Sequence, residues 1–337
     1  MANIHDVARV AGVSISTVSY ALSGKRSIAE STRRRIDLAV QELDYRPNAG
    51  AQMLKGSRTN IFALSAPLHS GTYAPAHMTF VLSIVKAARE YNYDVLLLTQ
   101  DEATSGLRRV ARSSLVDGIL LLDVSTEDVR TDLIRELGIP ATVVGIPSDT
   151  TGLTCVDLDF ERAAEMSVQR LVALGHTRIG LLGQAPILYE RGSNFPPRFR
   201  DSFLAETARC DIDSAFMPSA EDSAGVKAAI DALSEALPGM TALVLNSNEP
   251  VQSMVLELLS QRGIRVPEDL SIVSACSSFD TDHLNPPLDV IPLPSDASCS
   301  RAIQLIMAQL QDNASPHVEL IEPSYIALGS TASPHLP

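Results

Sequence analysis

Apolar residues recur at helical spacing near the start of the chain, and this pattern predicts three short helices. Four of them share one face of the first helix: Ile4, Val7, Ala8 and Ala11. Gly12 ends that helix, and Ser14 is a natural N-cap for a second one over Ile15–Leu22. A third helix is expected from about Glu30 to Leu43. The first part of the chain is therefore predicted to be a small helical domain.

From Asn60 onward, apolar runs typical of buried strands alternate with helical stretches. Strands are predicted at Ile61–Ser65, Val95–Thr99, Gly118–Leu122, Ala141–Val144, Ile179–Leu182, Ala242–Leu245 and Leu270–Val273. Helices are predicted at Phe80–Tyr91, Leu107–Ser113, Glu127–Leu137, Glu161–Leu174, Phe199–Ala208, Gly225–Leu237 and Pro250–Arg262. The alternation indicates an α/β fold with parallel, doubly wound sheets. The segment from Pro316 onward, rich in Pro and Ser, is expected to be partly loose.

The charge of the chain is divided unevenly between these two parts. The 337 residues suffice for two or three domains of roughly 150 residues. The net charge is −13, yet the first 59 residues hold nine Lys or Arg against five Asp or Glu. A basic head on an acidic body is expected where only the head contacts phosphate.

Several classes of protein are excluded by what the sequence lacks. No apolar run reaches the ~18 residues of a membrane span, and the N-terminus has no secretory leader, so we expect a cytoplasmic protein. The four cysteines are scattered: Cys155, Cys210, Cys276 and Cys299. Reduced thiols are expected rather than disulfides or a metal site. No phosphate-binding loop, metalloprotease or hydrolase motif is present, so neither a cofactor nor catalysis is predicted.

Two short helices joined by a tight turn in a basic head suggest a helix-turn-helix. The N-terminal part of the second helix would then reach base edges through Ile15, Ser16, Thr17 and Tyr20. The phosphate contacts would come from Lys25, Arg26, Arg33, Arg34 and Arg46. Periodicity alone leaves open a second interpretation, a helical cap whose basic face is only solvated.

Motifs along nearly the whole chain resemble the lactose/galactose repressor (LacI) family. The head contains Asp6-Val7-Ala8-Arg9, Ala11-Gly12-Val13-Ser14, Thr17-Val18-Ser19 and Tyr45-Arg46-Pro47-Asn48. The body contains Val116-Asp117-Gly118-Ile119, Leu174-Gly175-His176-Thr177-Arg178-Ile179, Val266-Pro267-Glu268-Asp269-Leu270 and Gly329-Ser330-Thr331. This resemblance favours the helix-turn-helix interpretation of the head.

The resemblance also implies how the chain is divided. A helix-turn-helix domain at residues 1–46 would be followed by a hinge helix and linker at 47–60. In the hinge, Asn48 would contact phosphate and Leu54 would wedge into a central base step of bent DNA. The body would resemble periplasmic binding proteins, with two Rossmann-like subdomains: residues 61–159 with 292–322, and residues 160–291 with 323–337.

A small-molecule effector is expected in the cleft between the subdomains. Matching the family residue by residue implies five effector-binding positions: His69, Asp159, Arg198, Asn248 and Glu249. Arg200 is the alternative to Arg198. Cys276 replaces the usual pocket aspartate, and Leu293 and Leu328 stand at positions that are often polar. These departures put a typical sugar pocket in doubt.

The function implied is a transcriptional repressor that binds a pseudo-palindromic operator as a homodimer. Its effector would be a carbohydrate or related metabolite, sugar-like or nucleobase-like. A ligand-responsive activator or dual regulator would have the same sequence features. An enzyme or a solute-binding protein on the same body fold is the alternative from another class.

Overall fold

The chain divides into two compact units, residues 1–59 and residues 60–337. The structure, a computed structural model, describes residues 2–23, 28–45, 58–98 and 104–334. The predicted hinge contacts Asn48 and Leu54, and the predicted phosphate contacts Lys25, Arg26 and Arg46, lie outside the described residues.

The head contains the three predicted helices, α1 (Ile4–Ala11), α2 (Ile15–Ser23) and α3 (Glu30–Glu42). Asn3 and Asp6 form a capping box at the start of α1, and Gly12 ends it with a φ of 65°, a left-handed conformation that suits glycine. Ser14 Oγ accepts the Thr17 backbone N–H at 3.2 Å, which confirms the predicted cap of α2. A small core holds the three helices together: Val7, Ala8, Ala11, Val18, Ala21, Ile36 and Ala39.

The body contains two parallel sheets within the described residues. The strands are β1 (Ile61–Ser65), β2 (Asp94–Leu98), β3 (Gly118–Leu121), β4 (Ala141–Val144), β5 (Thr154–Leu158), β6 (Arg178–Gly183), β7 (Asp213–Pro218), β8 (Ala242–Leu245), β9 (Ser271–Ser277), β10 (Asp289–Pro292) and β11 (Val318–Ile321). The six-stranded sheet has the order β11-β5-β4-β3-β1-β2, and the five-stranded sheet the order β10-β9-β8-β6-β7. We call the first sheet with its helices the first lobe and the second sheet with its helices the second lobe.

Helices cover both faces of each sheet, which is why β3, β4, β5 and β8 are buried throughout. They are α4 (Ala74–Glu90), α5 (Ser105–Arg112), α6 (Val129–Leu137), α7 (Phe160–Ala173), α8 (Pro186–Glu190), α9 (Phe195–Arg209), α10 (Ser223–Ala236), α11 (Glu249–Gln261) and α12 (Ser295–Asp312). Although α12 follows the second sheet in sequence, it packs in the core of the first lobe. A Cβ on Gly118 would lie 2.7 Å from Ile306 Cδ1, so any larger residue there would have to displace the Ile306 side chain.

The chain therefore passes between the lobes more than once, and the predicted α/β body with a helical head is confirmed. The exact crossing points near residues 159, 292 and 322 stay predictions. Among the helices that the structure describes, none has the length and apolar character that a bilayer crossing requires.

The expectation that the tail is loose from Pro316 onward is wrong for the part that is described. Residues 318–321 form β11, which pairs with β5. Farther along, Asp289 Oδ1 accepts the backbone N–H groups of Leu328, Gly329 and Ser330 at 2.7 to 3.0 Å. Burying a carboxylate with this many donors ties the tail to the second lobe.

Candidate functional site

Helix α2 presents the residues that were predicted to read bases. Ser16 is exposed, Thr17 is half-buried, and Ile15 and Tyr20 expose 40% and 41% of their surface. The hydroxyl of Ser14 lies 2.8 Å from that of Ser16 and 2.7 Å from that of Thr17. The exposed part of α2 therefore presents an apolar side chain, an aromatic ring and hydroxyl groups. Such a mixture is suited to contacts with base edges.

Helix α3 carries three consecutive arginines, Arg33, Arg34 and Arg35, and all three are exposed. Its buried positions, Ile36 and Ala39, face the core instead. The head thus combines an exposed helix of mixed chemistry with a basic surface, which is the arrangement expected for contact with nucleic acid.

A cavity of about 160 Å³ lies in the body, where strand ends of both sheets and the loops that follow them meet. This is comparable with the ~150 Å³ that holds a single aromatic ring. Its polar lining is Thr72, His77, Asp123, Asp157, Gln184, Arg191, Asn194, Ser247, Asn248 and Ser278. Its apolar lining includes Tyr73, Phe80, Leu122, Val124, Val144, Phe160, Leu188, Phe195 and Leu293. A concave apolar site with a few polar groups is typical of a small-molecule site.

The first-lobe wall is braced by a buried ion pair between Arg130 and Asp128, 2.7 Å apart. Arg130 also donates to the backbone carbonyls of Ser65, Leu122 and Asp123 at 2.9 to 3.2 Å. Burial alone would raise the pKa of the Asp128 carboxyl, but the Arg130 guanidinium outweighs it and lowers that pKa. Arg130 therefore fixes the strand ends that present Asp123 to the cavity.

A segment of the second lobe, residues 186–194, docks on this wall, and we call it the strap. Arg191 makes a forked ion pair with Asp123, at 3.1 to 3.3 Å. The Thr126 N–H donates to the Gly192 carbonyl at 2.8 Å, and Ser125 forms an antiparallel bridge with Ser193. The strap thus closes one side of the cavity by joining the two lobes.

The docked strap leaves some buried polar atoms without a hydrogen-bond partner. Within the part of the chain that is described, these include Arg191 Nε, Ser193 Oγ and Asn194 Oδ1, and Ser247 Oγ elsewhere in the lining. Buried polar groups without partners oppose the docking energetically. The strap contact therefore combines a strong ion pair with unpaired groups.

On the other side of the cavity, Arg198 lies between two carboxylates. Its guanidinium donates to Asp157 Oδ2 at 2.7 Å and to both oxygens of Glu161 at 2.8 Å. Burial raises the pKa of Asp157 to about 6 and outweighs the opposing effect of Arg198. Glu161 is more exposed to solvent. Its partial burial alone would raise its pKa, but the Arg198 guanidinium has the larger effect, so the pKa of Glu161 is lowered.

The five predicted effector positions are placed differently by the structure. Only Asn248 lines the cavity directly. Arg198 does not line it but pairs with Asp157, which does. Asp159 is the N-cap of α7, where its Oδ1 accepts the Arg162 N–H at 2.9 Å. Glu249 pairs with His283 at 3.1 Å.

His69 lies outside the lining, while His77 is part of it. Burial lowers the pKa of both histidines. Of the three departures from the family pattern, Cys276 and Leu293 line the cavity and Leu328 does not. Among the described residues no cluster of His, Cys, Asp and Glu has the arrangement of a metal site.

Asp123, Asp157, Arg191 and Asn194 line the cavity but were not among the predicted site residues. Asp123 could have been found, because a polar residue just after a predicted buried strand lies at the sheet edge where α/β proteins bind ligands. Arg191 and Asn194 carry no comparable signal, since they lie in an irregular loop.

Two known protein families match separate parts of the chain. The family of bacterial regulatory proteins, lacI family, matches residues 3–48, and the periplasmic binding protein-like domain matches residues 168–331. The HTH-type transcriptional repressor PurR of Vibrio atlanticus (strain LGP32) is 25% identical over 97% of this chain and 99% of its own. The HTH-type transcriptional regulator CelR of Thermobifida fusca is 26% identical, covering 94% of both chains.

Solved structures show the same fold. The lac repressor dimer bound to operator and the anti-inducer ONPF has a TM-score of 0.77 and 22% identity, covering 98% of this chain and 99% of that one. A complex of the transcriptional regulator CelR with cellobiose has a TM-score of 0.68 and 22% identity, covering 98% of this chain and all of that one. Head and body together define a transcription regulator with a periplasmic-binding-protein-like domain. Residues 3–48 match the lacI family of bacterial regulatory proteins, and residues 168–331 match the periplasmic binding protein-like domain.

Proposed function

We propose that the protein is a cytoplasmic transcriptional repressor that binds a pseudo-palindromic operator as a homodimer and responds to a small-molecule effector. The observation that carries this proposal is helix α2, with Ile15, Ser16 and Tyr20 exposed beside the arginines of α3. Its N-terminal residues would read base edges in the major groove. The excess of acidic residues in the body would keep that part of the chain off DNA.

The proposal includes the hinge, although its residues lie outside the described ranges. By resemblance to the family, Leu54 would wedge between central base pairs and Asn48 would contact phosphate. Kinking the DNA in this way lets a protein contact more of it than straight DNA allows.

An exposed apolar face on the first lobe supports a homodimer. Met78, Leu82 and Val85 follow one another at helical spacing on α4 and expose 39%, 62% and 37% of their surfaces. Leu97, on the edge strand β2, is 45% exposed. Contiguous apolar surface of this kind marks protein interfaces, and a second copy of the chain would bury the same face on both partners.

The cavity is the proposed effector site, because it lies between two lobes whose relative positions a ligand can change. An effector alters operator affinity only through its different affinities for two states of the body. Relatives named as repressors favour repression, while activation would use the same residues. An enzyme is disfavoured, since the relatives are regulators and His176 is buried between the hydroxyls of Thr241 and Ser271.

Replacing Tyr20 by alanine is expected to change which base is preferred at one position of each half-site. A lost base contact should cost roughly 1–3 kcal/mol there and little at other positions. Binding-site selection with the full-length variant, followed by affinity measurements on single-base variants of the best site, measures this effect.

The matched control is Arg34→Ala, because Arg34 is an exposed cation on the neighbouring helix α3. Loss of a phosphate contact should weaken binding to all DNA sequences about equally and reduce the dependence of the affinity on salt. If Tyr20→Ala leaves the base preference unchanged, Tyr20 does not read bases.

A further inference from the structure

The charged side chains that line the cavity are already paired with protein groups. Both oxygens of Asp123 are taken by Arg191, and one also accepts the Thr72 hydroxyl at 3.1 Å. Asp157 is held by Arg198 at 2.7 Å and by the Leu158 N–H at 3.0 Å. Among the residues that the structure describes, the lining therefore offers an incoming ion no free counter-charge.

These pairs are also sheltered from water. The side chains of Asp123 and Arg191 expose 12% and 16% of their surface, and those of Asp157 and Arg198 expose 12% and 15%. Breaking such a pair to bind a charged ligand would leave a buried charge without a partner, which is strongly unfavourable. Glu161, the second carboxylate on Arg198, is 44% exposed, so water screens it.

Most of the remaining surface is apolar, although His77, Gln184, Asn248 and Ser278 also line the cavity. Phe80, Phe160 and Phe195 contribute rings, and Leu293 contributes a branched apolar side chain. At Cys276, burial raises the thiol pKa well above its ordinary value, so this group is neutral. A ligand rich in hydroxyl groups would place several of them against these surfaces without hydrogen-bond partners.

Two residues of the described lining have a buried side-chain oxygen without a hydrogen-bond partner. Asn194 and Ser247 line the cavity, are 5% and 6% exposed, and each has a side-chain oxygen without a hydrogen-bond partner. An amide oxygen accepts a hydrogen bond, and a hydroxyl both donates and accepts. A buried oxygen without a partner is stabilised when the polar edge of a ligand reaches it.

We infer that the effector is an uncharged, largely apolar ring compound with a single hydrogen-bonding edge, rather than a polyhydroxylated sugar or an ion. This inference rests on the proposed function, since it assigns the ligand class of the same cleft. The ring would lie against the phenylalanines, and the polar edge would meet Asn194 and Ser247.

Four probes test the inference on the full-length wild-type protein by isothermal titration calorimetry. Benzamide, benzoate and benzamidine share size and shape but are neutral, anionic and cationic, and D-glucose represents polyols. Benzamide is expected to bind at least about tenfold more tightly than each of the others. Equal or tighter binding of benzoate or benzamidine would contradict the charge argument, and no detectable binding of benzamide would overturn the ligand class.

Tighter binding of glucose than of benzamide would also overturn the inference, yet it would leave the cleft as an effector site. Failure of the proposed function itself would appear separately, as absence of specific operator binding by the same protein. The two failures are therefore distinguishable.

Cys276→Asp provides a second test within the cavity. The backbone at Cys276 has a φ of 56°, a left-handed conformation that aspartate tolerates better than most residues. The new carboxylate should weaken the binding of benzamide and strengthen the binding of benzamidine, each by about tenfold or more. Cys276→Ser adds no charge, so it should rank the four probes by affinity as the wild type does. If Cys276→Asp also ranked them in the wild-type order, the inference would be contradicted.

Discussion

Replacing Arg198 by methionine is expected to destabilise the protein by about 3–5 kcal/mol near pH 8 and by much less near pH 4. Arg198 is the cation that holds the buried carboxylate of Asp157 and the half-exposed one of Glu161. Methionine keeps much of the apolar stem but leaves both carboxylates without their partner. Denaturant unfolding of the variant and the wild type across this pH range measures the difference.

The sign of the pH dependence follows from the pKa of Asp157, which burial raises to about 6 in the folded protein from an ordinary value of 3.8. Since the folded state keeps this proton to higher pH than the unfolded chain, the contribution of Asp157 to stability falls as pH rises through about 6. Without Arg198 the pKa of Asp157 rises further, so the variant continues to lose stability as the pH rises above 6. Adding Asp157→Asn to Arg198→Met should remove most of the pH dependence of the stability loss. If Arg198→Met lost equal stability near pH 4 and near pH 8, the account would be contradicted.

Arg130→Ala is expected to lower the free energy of unfolding by about 3–5 kcal/mol. The substitution leaves Asp128 buried without its cation and removes the donors that Arg130 gives to three backbone carbonyls. Thermal and denaturant unfolding measure the loss, and hydrogen exchange should increase at residues 122–126, which receive the strap.

Arg89→Ala is the matched control, because the ion pair of Arg89 with Asp94 also lies in the first lobe but is largely exposed. Surface pairs contribute little in water, so this variant should remain close to the wild type. If Arg130→Ala were no more destabilising than Arg89→Ala, the brace at the cavity wall would have no energetic role.

The sequence predicted the helices of the head and the strands of the body whose signals are local. The described helices α1, α2 and α3 follow the apolar spacing, and the strands β3, β4 and β8 are the buried apolar runs. Strands β5, β7, β10 and β11 were not predicted. Residues 154–158 interrupt their apolar pattern with Thr154 and Asp157, and β11 has only four residues and depends on pairing with β5.

The candidate site was less predictable, because it depends on contacts between distant parts of the chain. Asp159 and Asp157 stand two residues apart, and only the fold shows that Asp159 caps α7 while Asp157 lines the cavity. The pair of Asp123 with Arg191 joins residues 68 positions apart. Local spacing carries no information on such a pair, whereas the exposed start of α2 could be recognised from a short motif.

Selection of DNA sites from a random duplex library by the full-length protein tests the central claim most directly. The account predicts a pseudo-palindromic site that binds two chains, with affinity falling about a thousandfold or more between roughly 50 and 200 mM salt. The number of chains on the selected duplex can be determined by sedimentation. A preferred site without two-fold symmetry, a single chain on each duplex, or an affinity that salt barely changes would contradict the account.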